Sequence, residues 1–80
     1  MDIQLLQGEF SSKDALDLIT KMLHVKIKYH EDKIVKNDDE DDIKYRETKI
    51  KRLQKELYEL RNDFEKRRGK IELDATIKID

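Results

Sequence analysis

The sequence predicts an α+β fold in the order β-α-α-β. A long antiparallel helical hairpin carries a two-stranded antiparallel sheet formed by the two terminal strands. Three observations predict this. The last stretch, KIELDATIKID, alternates apolar and polar residues without a break. The segment before it holds Ile43, Arg46, Ile50, Leu53, Leu57, Leu60, Phe64 and Arg67 at alternating spacings of four and three. A second stripe, Leu16, Ile19, Leu23, Ile27, His30 and Ile34, has the same helical spacing further upstream. Period two is a half-buried strand, and a four–three alternation is a heptad seam.

The elements follow in order. IQLLQGEF reads as a strand over about 2–9. Ile3 and Leu5 lie on one face, Leu6 and Phe10 on the other, and Gly8 either bulges the strand or ends it. Ser11 is an N-cap with Asp14 three residues on, close to a capping box, and Phe10 and Ala15 occupy the positions of a hydrophobic staple. The first helix spans about 12–34, with Ala15 and Met22 widening its stripe. An acidic turn covers about 35–41. The second helix spans about 42–68, where basic residues followed by Gly69 form a standard helix end. Ile71, Leu73, Ala75, Ile77 and Ile79 then share one face of a strand over about 70–79. Two helices joined by a short turn are antiparallel, so the two strands meet at the same end of the hairpin and can pair antiparallel.

Composition narrows the function classes. Eighty residues form a single domain with a small core, and no cysteine is present to staple it. Charged residues make up 46% of the chain, yet the net charge is −1. Interspersed signs suit a solvated helical surface better than a strong electrostatic footprint. No apolar run approaches the ~20 residues of a membrane span. MDIQLLQGEF has neither a basic start nor a long apolar stretch, so it does not read as a signal peptide. These features lead us to expect a cytoplasmic protein with no membrane association.

HEDKIVKNDDEDD, residues 30–42, is the one stretch with metal-ligand chemistry. A zinc-protease helix needs a second histidine four residues after the first; position 34 is isoleucine, and His24 lies on another face. A calcium loop needs alternating oxygen ligands around a central glycine, which the run lacks. The reading is a solvated turn and helix start, with acidic residues favoured by the helix dipole. No glycine-rich phosphate loop, nucleophile elbow or His/Cys pair is present, so the sequence predicts neither enzyme nor cofactor. His30, on an apolar stripe, is either a core-edge histidine or a pH-sensitive, partner-facing position. Arg46 and Arg67 either snorkel at the hairpin ends or pair with carboxylates on a facing helix or subunit.

Gly8, Phe10 and Ser11, then Lys26, Ile27, Tyr29, His30 and Lys33, then the acidic run, Lys51, Arg52 and Leu53, together form a pattern. In it the chain resembles a family of small uncharacterised bacterial proteins of the Bacteroidetes type. The resemblance implies the same strand-helix-helix-strand order and brings no activity with it. The chain departs from that pattern after Lys33, passing directly into NDDEDD.

The functional expectation is a non-enzymatic structural or protein-interaction module that self-associates, as a homodimer or with a protein partner. Its apolar stripes and strand face exceed what one such chain buries. The alternative is a nucleic-acid-associated accessory protein using basic residues of the second helix. The candidate interaction residues are His30, Lys51, Arg52, Lys55, Arg67 and Arg68.

Overall fold

The computed structural model describes residues 1–80 and has the order β1 (Asp2–Ser11), α1 (Ser12–Val35), α2 (Glu40–Glu65), β2 (Lys70–Lys78). The strands form one two-stranded antiparallel sheet. The architecture is therefore the β-α-α-β hairpin with terminal strands that the periodicities predict.

Local chemistry sets the boundaries. The Ser11 hydroxyl accepts the Asp14 N–H at 3.1 Å and starts α1. Asp39 caps α2 by accepting the Asp41 N–H at 2.9 Å, so the acidic run opens that helix at Glu40, two residues earlier than its charge alone suggests. Acidic side chains in this first turn complement the helix dipole. At its far end α2 stops at Glu65. There Lys66 N–H donates to Asp63 O and Arg67 N–H to Phe64 O, each at 3.2 Å. These i→i+3 bonds tighten the last turn, so the helix closes before Arg67 and Arg68 are reached. Gly69, at φ +79°, serves the turn into β2 rather than the helix cap.

The sheet departs from simple alternation at one point. Ile3 pairs with Ile77 and Gln4 with Thr76, but Leu6 pairs with Ala75, leaving Leu5 as a bulge. The bulge sits at Leu5 and not at Gly8, which stays paired with Leu73 at φ +130°. Directly opposed residues share a face. The extra residue therefore moves Ile3 onto the face of Leu6, Gly8 and Phe10, opposite Ile77, Ala75, Leu73 and Ile71. Gln4 holds the bulge closed. Its Nε2 donates to Leu6 O at 2.7 Å and to Asp74 Oδ1 at 2.8 Å, and its Oε1 accepts from Thr76 Oγ1 at 3.1 Å.

The seam residues Leu53, Leu57 and Phe64 of α2 are buried, as are Ala15 and Ile27 of α1. The core is no larger than these five residues, and none but Ala15 is completely covered. α1 meets both strands as well as α2, whereas α2 approaches neither strand. The molecule is thus a stack of ribbon, α1 and α2, one element wide, measuring 47 × 34 × 13 Å. Its radius of gyration is 15.3 Å. A compact chain of this length would have about 12 Å. No helix is long and apolar enough to cross a membrane.

Candidate functional site

Two regions gather side chains. The first is the hairpin tip. The stripe of α1 ends in His30 and Ile34, and the seam of α2 begins with Ile43 and Arg46, so antiparallel packing brings His30 and Arg46 level. Arg46 Nη1 lies 3.1 Å from His30 Nδ1. Guanidinium can only donate, so Nδ1 accepts and the imidazole is neutral, with its proton on Nε2. Arg46 Nε donates to Asp42 Oδ2 at 3.0 Å, and Asn37 Nδ2 donates to the same oxygen. The Asp42 hydrogen bond is also the main reason the Arg46 guanidinium is held above its usual pKa. His30 is pushed below its ordinary value of 6.5, first by burial, then by Arg46, Lys26 and Lys49, with Asp42 opposing. Tyr29 joins this cluster. Its ring meets His30 edge-on at 5.4 Å, and Arg46 stands 5.7 Å from its centroid. Adjacent residues on a helix diverge by about 100°, but the large ring swings back over the Arg46 cation.

Arg46 reaches both its own helix and the facing one. Arg67, in the turn after α2, leaves the seam and pairs with Asp63 of α2 at 2.6 Å, half-exposed. Lys51, Arg52, Lys55 and Arg68 are exposed on α2 and the turn after it and enter no ion pair. The structure does not bring these basic residues to His30. The acidic run does not converge either: no set of three His, Asp or Glu side chains is placed to hold a metal ion.

The second region is the wedge between α1 and the ribbon, which residue-by-residue reading of the sequence missed. Ile19, Met22, Leu23 and Lys26 of α1 face Leu6 of β1 and Leu73, Asp74 and Ala75 of β2 across a cavity of about 310 Å³. Most of its strand residues come from β2. Beyond it the ribbon runs clear of α1. Ile3, Leu5, Ile77 and Ile79 are each 39–46% exposed, on strands whose other apolar residues are half-buried. Their alternation was visible; which of them α1 would leave bare depends on the angle between helix and ribbon.

The accessible surface is 6684 Å². A folded monomer of 9.7 kDa exposes about 5,100 Å² by the usual scaling, so about 1,500 Å² is in excess. No protein-family model, curated protein or solved structure matches this chain.

Proposed function

We propose that this protein is a small, non-enzymatic structural and protein-interaction module that acts as a homo-oligomer, its primary partner being a second copy of itself. The single observation that carries the reading is the surplus of surface. The excess of about 1,500 Å² on each protomer is more than the about 800 Å² that one partner of a standard stable dimer removes from water. The bare apolar residues Ile3, Leu5, Ile77 and Ile79 and the open α1–ribbon wedge say where much of that surplus lies. A contiguous apolar patch on a small protein marks an interaction site.

The basic residues of α2 support a nucleic-acid role less well. Lys51, Arg52 and Lys55 are flanked by Glu47, Glu56 and Glu59, and a net charge of −1 supplies no long-range attraction for phosphate.

Sedimentation velocity at micromolar to hundred-micromolar concentration tests the proposal. The expected species has twice the 9.7 kDa chain mass. A monomer across the whole range overturns it.

A further inference from the structure

We propose that two copies join edge to edge through β2, antiparallel, about a two-fold axis at Ala75, giving one four-stranded sheet in the order β1–β2–β2–β1. This rests on the self-association reading and specifies its surface.

The backbone says which groups are free. Ile79 N–H donates to Met1 O at 2.7 Å, and the Met1 amine donates to Ile79 O at 2.8 Å. Ile79 therefore aims its backbone groups at β1. Alternation along a regular strand aims those of Ile77, Ala75, Leu73 and Ile71 the same way. Lys70, Glu72, Asp74, Thr76 and Lys78 then point their N–H and C=O groups outward, where nothing pairs with them. The free edge of β1 is a poorer template, because the Leu5 bulge and Gly8 at φ +130° interrupt it. β2 has no such break and no proline.

Charge selects the register. In a symmetric antiparallel pair, the positions of opposed residues sum to a constant, and only an even sum sets outward backbone groups against each other. Centring on Asp74 opposes Asp74 to its own copy and Lys70 to Lys78. Centring on Leu73 opposes Glu72 to Asp74. Centring on Ala75 instead sets Glu72 against the partner's Lys78, Asp74 against the partner's Thr76 and Lys70 against the partner's Asp80. Each of these pairings occurs twice by symmetry. Centring on Thr76 also pairs opposite charges but shortens the ladder and leaves Glu72 without its lysine.

The same register fits the layers. The two-fold is perpendicular to the sheet, so both apolar faces stay on one side. Strands about 4.8 Å apart place the midlines of the two ribbons about 10 Å apart, the distance at which two helices pack side by side. The two α1 helices can then close the wedge of Leu6, Met22 and Ala75 from both sides. The bare outer end of each ribbon, with Ile77 and Ile79, comes alongside the partner's Leu73 and Ile71. A slab 13 Å thick becomes two slabs face to face.

The test uses the full chain, which contains no native cysteine. Ala75→Cys places two thiols at a non-hydrogen-bonded pair, where Cα atoms are about 4.5 Å apart and a disulfide closes. With oxidised glutathione as oxidant we expect the covalent dimer from Ala75→Cys and none from Ile77→Cys. In parallel, Lys78→Glu and Glu72→Lys should each weaken dimerisation about ten-fold, and the double variant should recover it. Lys78 is exposed at the end of β2, so its variant tests the register without touching the core. A wild-type dimer that neither crosslinks through position 75 nor responds to the charge reversals refutes this register while leaving self-association standing. A wild-type monomer refutes both.

Discussion

Replacing Leu53 by alanine tests whether the α1–α2 seam is the real core of this protein. The His30–Arg46 contact sets the antiparallel register of the hairpin. Counting back from it, Leu53 lies level with Leu23, near the middle of both helices. Leu53 is 5% exposed. The substitution removes three carbon groups from that site, about 0.8 kcal/mol each in transfer free energy. The cavity contribution is small, because neighbouring seam residues such as Ile50 and Leu60 are only half-buried and can settle into the space. The expected loss is about 3 kcal/mol, towards the low end of buried Leu→Ala changes. For a chain of this size, with a total stability of roughly 4–12 kcal/mol, that is a large fraction. The assay is urea denaturation followed by circular dichroism, at one fixed protein concentration because the proposed association would contribute to apparent stability. Tyr58→Ala, at a position 67% exposed on the same helix, is the control and should change stability by no more than about 0.5 kcal/mol. If Leu53→Ala costs less than 1 kcal/mol, or no more than the Tyr58 control, the seam is not what holds the hairpin together.

Three further outcomes follow from the structure. His30 is held neutral below its ordinary pKa of 6.5 while Arg46, Lys26 and Lys49 face it, with only Asp42 opposing; the unfolded chain therefore binds its proton first, and this contribution to stability is complete above about pH 7.5 and lost as pH falls through 6.5 towards the folded pKa. Melting temperatures from pH 8 to 5, compared with those of His30→Gln, should show that extra acid sensitivity in the wild type alone. Gly8→Ala should destabilise by about 1–2 kcal/mol through the backbone, since φ is +130° while nothing crowds the added Cβ, and a neutral result in the same melt would refute the conformational argument. Gln4→Ala should cost about 1 kcal/mol by opening the Leu5 bulge, read as faster amide exchange at Ala75 and Ile77 than at Leu73.

The elements whose signal is local were legible in the sequence. The heptad seam from Ile43 to Phe64 and the alternation from Ile71 to Ile79 each repeat often enough that no other structure satisfies them. The Ser11 cap was readable for the same reason, since donor and acceptor lie three residues apart. What escaped depends on partners distant in the chain. The bulge at Leu5 exists because Gln4 reaches Asp74, Ala75 and Thr76. With it, Ile3 changes face, and a strand read alone assigns Ile3 to the wrong side. Gly69 looked like a helix cap because basic residues precede it, but two i→i+3 bonds close the helix at Glu65 first. The hairpin-tip cluster was half legible. His30 and Arg46 stood out as polar residues on apolar stripes, and two such exceptions on facing helices are candidates for each other. The Tyr29 ring was not, because its position follows from the Arg46 cation and not from helical periodicity.

Composition and shape pose one physical problem. Apolar residues are 36% of the chain, yet five of 80 residues are buried. Ordering a residue's backbone costs about 1–2 kcal/mol, and burial of this extent in a lone protomer offsets little of it. A longer loop or a third helix would close the wedge in a larger protein. Here α1 already uses two sides, one on α2 and one on the ribbon, and its remaining flanks have no element of the same chain to meet. The chain is also 46% charged, which keeps the outer face of α2 in water and leaves the slab's flank as the surface to cover. An object one element wide gains most from a neighbour of its own shape, because ribbon meets ribbon and helix meets helix at the spacings each already prefers. In the proposed dimer folding and association are one process, and the alternating charges of β2 decide how the two halves align.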